Sequence, residues 1–199
     1  DMVDADHIED ERVTLVGPDI DAVEEGGQLP LSIYVKIYGR KMQKDFESIL
    51  ERRLHDTVNF AEGLWHSGQR DLIWVRVGKK AYAQGFRLEH LGKIIVAKLK
   101  NDFPAIVDRV EVLITTEKDK VESVREEARK VYALRDARMR GLTDESCDTF
   151  YSCKLCQSFA PNHVCIVTPE RLGLCGAVNW LDAKASFEID PHGPNTAIE

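Results

Sequence analysis

The sequence predicts an α/β domain, with α+β as the alternative arrangement. Helices pack on a sheet in two or three layers, and a small irregular cysteine-rich metal-binding segment follows. Three observations predict it. Strand-like and helix-like periodicities alternate from residue 30 to residue 141. The apolar patterning almost vanishes after Gly141. Four of the five cysteines then fall within residues 151–176, "YSCKLCQSFAPNHVCIVTPERLGLCG".

The elements follow in order. Residues 1–29 form an acidic lead-in in which "RVTLVGPDI" can be a short strand ending at Gly17-Pro18, with Gly26, Gly27 and Pro30 as a break. "LSIYVKIY" alternates, placing Leu31, Ile33, Val35 and Ile37 on one strand face. "KDFESILERRLHDTVNFAEG" carries Phe46, Ile49, Leu50, Leu54 and Val58 at helical spacing, closed by Gly63. "DLIWVRVG" reads as a strand with Ile73, Val75 and Val77 opposite Trp74 and Arg76. A second helix aligns Leu88, Leu91, Ile95 and Leu99, with Pro104 beyond its end. "DRVEVLITT" is a third strand. "KVESVREEARKVYALRDARMRG" is a third helix whose dense opposite charges can pair one turn apart. Residues 30–141 are thus an α/β middle domain, and residues 142–199 open a second domain, with a short helix expected just after Cys175.

Charge is distributed unevenly. Residues 1–29 carry −9, residues 30–140 carry +7 and residues 141–199 carry −5, for a net −7. A basic middle between acidic ends can meet an anion or simply be a solvated surface. The negative total and the lack of a recognised binding motif speak against nucleic acid. No apolar run approaches the ~20 residues that span a bilayer. No signal-peptide pattern appears either, so a cytoplasmic protein with no membrane partner is expected. The opening Asp1 and the ending "PNTAIE" suggest a piece of a longer polypeptide.

The cysteines follow the pattern C-x2-C-x8-C-x9-C, through Cys153, Cys156, Cys165 and Cys175. Disulfides suit an oxidising compartment that nothing here marks. A redox pair would leave Cys165 and Cys175 unexplained. Four thiolates suit tetrahedral zinc or an iron–sulfur cluster. Zinc knuckles arrive as two close pairs, whereas only one pair here is close, so the spacing favours iron–sulfur. The loops between ligands bring an apolar wall of Phe159, Val164, Ile166, Val167, Leu172 and Leu174, with Gly173 and Gly176 beside Cys175 for close backbone approach. A helix beginning after Cys175 would favour negative charge there. His163 is expected to hydrogen-bond near the site or act as a further ligand. Cys147 lies outside the spacing as a free thiol.

The run from "YSCKLC" to "EIDPHGPN", together with "IYGRKMQKDFE", "LERRLH", "EGLWHSGQRDLIWVR" and "FPAIVDRVEV", resembles the acetyl-CoA synthase subunit of the bacterial CO dehydrogenase/acetyl-CoA synthase complex. The resemblance implies that Cys153, Cys156, Cys165 and Cys175 hold a 4Fe-4S cluster and that Cys156 bridges to a proximal nickel. It implies an acyltransferase that joins CO, coenzyme A and a methyl group from a corrinoid iron–sulfur protein, with the CO dehydrogenase subunit as a further partner. Phe159 would shape the pocket for gas and methyl. The family's distal nickel needs a Cys-Gly-Cys that this sequence does not contain, so the nickel site is expected to be incomplete and this piece inactive alone. A non-catalytic structural or electron-transfer module, with four cysteines holding zinc or a 4Fe-4S cluster, is the alternative.

The resemblance also gives the basic middle a candidate ligand. Coenzyme A presents phosphates and an adenine ring. Trp65 offers a stacking face, and Arg70, Arg76, Lys79 and Lys80 offer phosphate partners. The competing reading puts Trp65 in the core and the cations in surface ion pairs.

Overall fold

The computed structural model describes residues 1–59, 61–155, 162–176 and 178–198, with nothing said of the side chains of residues 56, 57 and 69. The fold is mixed α/β, and the chain divides into two compact units. One comprises residues 1–44 and 50–133, and the other comprises residues 45–49 and 134–199.

The first unit is built on a three-stranded sheet of β1 (Val13–Val16), β5 (Arg109–Thr115) and β2 (Ser32–Tyr38), in the order β1-β5-β2. β5 runs parallel to β1 and antiparallel to β2, with Val13 opposite Val112 and Val35 also opposite Val112. The central position of β5 explains its composition. Val110, Val112 and Ile114 are fully buried, and β-branched side chains suit a strand covered by neighbours. Helix α3 (Leu88–Asp102) packs on β5 and β1. It buries Leu88, Leu91, Ile95 and Leu99, the stripe that the spacing predicts, together with Gly92 and Val96. Gly92 lets the helix approach β1, because a Cβ there would lie 2.3 Å from Val13 Cγ1.

A buried carboxylate ties the acidic lead-in to this sheet. Glu111 on β5 accepts from the Glu9 backbone N–H, Arg12 and Lys36. Burial opposes its charge, but these donors more than offset it and hold the carboxyl below its usual range.

The strand at residues 71–78 does not join the main sheet. Instead β4 (Leu72–Val77) pairs antiparallel with β3 (Leu64–Gln69) as a separate hairpin. Arg70, at the turn, has φ +57°, so the chain reverses within two residues. Pairing with the adjacent segment closes a far shorter loop than reaching the main sheet would. Helix α1 (Glu47–Val58) precedes the hairpin, and its predicted extension to Gly63 is replaced by a turn with Gly63 at φ +81°. The short α2 (Lys79–Ala83) follows the hairpin. Helix α4 (Lys118–Ala137) ends earlier than predicted, and Gly141, at φ +80°, lies in the turn beyond. Arg125 and Arg129 of α4 both reach Asp71 at the hairpin turn. Tyr132 donates to Glu51 of α1.

The second unit holds a three-stranded antiparallel sheet, β7-β6-β8, made of β6 (Phe150–Cys153), β7 (Cys165–Val167) and β8 (Ala197–Ile198). Its core joins Tyr151, Cys153, Val167, Val178 and Ala183, with Trp180 and Phe187 packed against them. Helix α5 (Trp180–Ile189) starts at the Asn179 cap, whose side chain accepts from the Asp182 N–H while Asp182 accepts from the Asn179 N–H. Asn195 is wholly buried and donates from Nδ2 to the Ser152 carbonyl, fixing the backbone just before Cys153.

Candidate metal centre

Two of the predicted ligands are brought together by strand register. Cys153 closes β6, Cys165 opens β7, and the two are direct cross-strand partners. Directly opposed residues on an antiparallel pair project to the same face. Cys153 is buried and Cys165 half-buried. Cys175 stands exposed on a turn in which Gly173 N–H donates to the Val178 carbonyl and Gly176 N–H to the Gly173 carbonyl. Gly176 has φ +68°, which explains glycine there. A Cβ on Gly173 would sit 3.6 Å from Cys175 Sγ. Burial pushes the Cys153 thiol up, against hydrogen bonds from the Leu155 backbone and the Asn195 side chain, and the neighbouring Cys175 and Cys165 push it further up.

Among the described residues, the trio of possible metal-binding atoms that all lie within 4.8 Å of one another is Asp4, Asp6 and His7, on the exposed surface. At least one pair among the Cys153, Cys165 and Cys175 sulfurs is therefore farther apart. Cys156 and Phe159 lie outside the described residues.

Four details differ from the sequence reading or sharpen it. Helix α5 begins at Trp180, not immediately after Cys175, because Asn179 is the capping residue. The apolar wall is mostly exposed. Val167 is buried, whereas Val164, Ile166, Leu172 and Leu174 face outward. Strand alternation is the reason within β7, since Val167 and Ile166 must point to opposite faces. His163 places Nε2 3.2 Å from Cys165 Sγ, at hydrogen-bonding distance from a ligand candidate. Cys147 is half-buried, with its sulfur 3.7 Å from Ser146 Oγ.

The candidate coenzyme residues separate into two groups. Trp65 lies on β3, 54% exposed and directly opposite Arg76 of β4. The same hairpin face shows Trp74, 56% exposed, opposite Ser67. The other face turns His66 inward, where His55 Nδ1 lies 2.7 Å from its Nε2. Among the described residues Arg76 has no ion-pair partner. Arg70 instead lies over the Tyr132 ring, 5.3 Å from its centroid. Lys79 pairs with Glu25 and Lys80 with Glu62. The outward place of Trp74 is legible in the sequence through its alternation with Ile73 and Val75. Its place beside Trp65 is not, because β3 carries no alternation that marks it as a strand.

Comparison with known proteins decides the kinship. Residues 1–121 match the family described as CO dehydrogenase/acetyl-CoA synthase complex beta subunit, and residues 132–199 match the family described as the C-terminal part of the ACS/CODH beta subunit. The chain belongs to the CO dehydrogenase/acetyl-CoA synthase beta-subunit family. The resemblance carried by the cysteine segment and the middle domain is met over nearly the whole chain. The chain is 63% identical over 196 residues to the carbon monoxide dehydrogenase/acetyl-CoA synthase subunit alpha of Moorella thermoacetica, covering 98% of this chain and 27% of that protein. It is 50% identical over 198 residues to the acetyl-CoA decarbonylase/synthase complex subunit beta of Methanopyrus kandleri, covering 100% of this chain and 42% of the relative. The beta subunit from Methanothermobacter thermautotrophicus is 46% identical over 194 residues, covering 98% and 42%. The chain thus spans between about a quarter and two fifths of the length of these relatives. The family embraces proteins named for acetyl-CoA decarbonylation as well as synthesis. Among the described residues, no helix is long and apolar enough to cross a membrane.

Proposed function

We propose that this chain supplies the iron–sulfur ligands and part of the coenzyme A surface of an acetyl-CoA synthase/decarbonylase subunit. The observation that carries the reading is the register of β6 and β7, which sets Cys153 directly opposite Cys165 in the four-cysteine segment matched to the family. Cys153, Cys156, Cys165 and Cys175 would hold a 4Fe-4S cluster, and Cys156 would bridge to nickel. When bound, such a thiolate-ligated metal centre supplies the soft, electron-rich site at which a methyl carbon and a carbonyl carbon can be joined or parted.

The protein's own side chains do the rest. Burial of Cys153 keeps water from one side of the site, and Asn195 fixes the backbone that presents it. The exposed face of the β3–β4 hairpin offers an indole at Trp65 and the guanidinium of Arg76 directly across from it, a match for a purine ring and a phosphate. Trp74 extends that face. Arg70, Lys79 and Lys80, already engaged with Tyr132, Glu25 and Glu62, would contribute only by leaving those partners. Phe159 would wall the pocket for gas and methyl. A corrinoid iron–sulfur protein would deliver the methyl group, and a CO dehydrogenase subunit the CO, in the cytoplasm. The sequence holds no Cys-Gly-Cys, so this chain alone would not complete the nickel site, and no turnover is expected of it by itself.

Anaerobic reconstitution with iron and sulfide tests the ligand set. Single Ala variants at Cys153, Cys156, Cys165 and Cys175 should each lose most of the broad absorption near 400 nm. The Cys147→Ala variant should keep it. Equal absorption in all five variants would remove the basis for the assignment.

A further inference from the structure

Two nitrogens from different parts of the loop system lie within hydrogen-bonding distance of the Cys165 sulfur. His163 Nε2 lies 3.2 Å from it, two residues earlier in the chain. The Leu174 backbone N–H donates to it at 3.5 Å, nine residues later. The exposed Cys175 lies on the next turn. The Leu174 donor is fixed by the chain and independent of side-chain choice. The His163 nitrogen belongs to a side chain, so evolution or an experiment can remove it without touching a predicted ligand. Donation to sulfur requires the imidazole to carry its proton on Nε2.

Hydrogen bonds to a cysteine sulfur draw charge from it. They favour whichever state of a bound cluster carries the greater negative charge, which is the reduced state. We propose that His163 is a positioning residue that donates its Nε2–H to the Cys165 thiolate and, with the Leu174 N–H, raises the potential at which a cluster bound by this chain accepts an electron. The inference rests on the iron–sulfur reading above. It assigns His163 a role as a hydrogen-bond donor to a ligand and not as a ligand itself.

The test uses the whole 199-residue chain, reconstituted without oxygen with ferrous iron and sulfide, as wild type, His163→Phe and His163→Gln. Iron content and circular dichroism establish loading and folding. A redox titration with dithionite as electron donor, followed by electron paramagnetic resonance, then gives the ratio of reduced to oxidised cluster. At the wild-type midpoint, His163→Phe should show that ratio lowered about tenfold, equivalent to about 59 mV for a one-electron couple. His163→Gln, which keeps an N–H donor, should recover at least half of the shift. Resonance Raman should show the iron–cysteine sulfur stretch rising in frequency in the Phe variant as the thiolate donates more strongly.

Three results would overturn the proposal. Equal midpoints in the three loaded proteins would leave His163 without a tuning role. A Gln variant displaced as far as the Phe variant would point to packing in place of hydrogen bonding. Loss of iron in both variants would make His163 a ligand. If the wild type itself takes up zinc or no iron, the cluster reading fails first, which separates the two failures.

Discussion

Acidification should weaken the first unit through a single histidine. His66 is 7% exposed on the inner face of the β3–β4 hairpin, with its Nε2 2.7 Å from His55 Nδ1 and its backbone N–H bonded to Asn59 Oδ1. Glu51 lies one turn from His55, 3.9 Å from its Nε2. Burial, with the neighbouring His55, lowers the His66 pKa from 6.5 to about 4. A histidine that is harder to protonate when folded favours folding above its unfolded pKa. That contribution declines as the pH falls from about 6.5 towards 4, because the unfolded chain binds the proton first. Between pH 7.5 and 5.0 these two pKa values correspond to a loss of about 2 kcal/mol. Urea denaturation at both pH values, followed by circular dichroism, measures it. His66→Gln cannot take up the proton, so its stability should fall by about 2 kcal/mol less over the same interval. Asp10, Asp71 and Glu111, whose pKa values are lowered, contribute mainly below pH 4.5 and are common to both proteins. Equal losses in wild type and His66→Gln would show that His66 does not carry the acid sensitivity.

Three further variants test other parts of the first unit. Trp65→Ala should weaken coenzyme A binding about tenfold, or about 1.4 kcal/mol, in calorimetry at low salt, and Arg76→Gln should flatten its salt dependence. Unchanged affinity in Trp65→Ala would leave the hairpin face without its ligand. Gly92→Ala should cost about 1–3 kcal/mol in urea denaturation, since the new methyl meets Val13 across a packed helix–strand contact, and an unaltered midpoint would count against that packing.

Much of the first unit can be read from periodicity. The α3 stripe of Leu88, Leu91, Ile95 and Leu99 is buried as its spacing dictates, and "RVTLVGPDI" contains β1, a short strand that stops just before Gly17-Pro18 as expected. The hairpin is hidden because "LWHSGQ" mixes polar and apolar residues around Gly68. Its strand character comes from the partner β4 and not from local propensity. β7 is three residues long and β8 two, too short for any period to register. In the second unit the cysteine count and spacing mark the segment as a candidate metal site. The opposition of Cys153 and Cys165 is not, because strand register depends on a pairing that neither segment announces alone. Likewise, the sequence places His163 near the site, but only the folded loop shows that its target is Cys165.

The most direct measurement is the metal and sulfide content of this chain after isolation and reconstitution without oxygen, joined to Mössbauer spectroscopy of the iron. The 4Fe-4S assignment predicts iron and acid-labile sulfide in equal amounts, close to four of each per chain, in a spectrum of valence-averaged cubane iron. One zinc per chain with no sulfide, retained by the same four cysteines in the presence of excess iron, would contradict it.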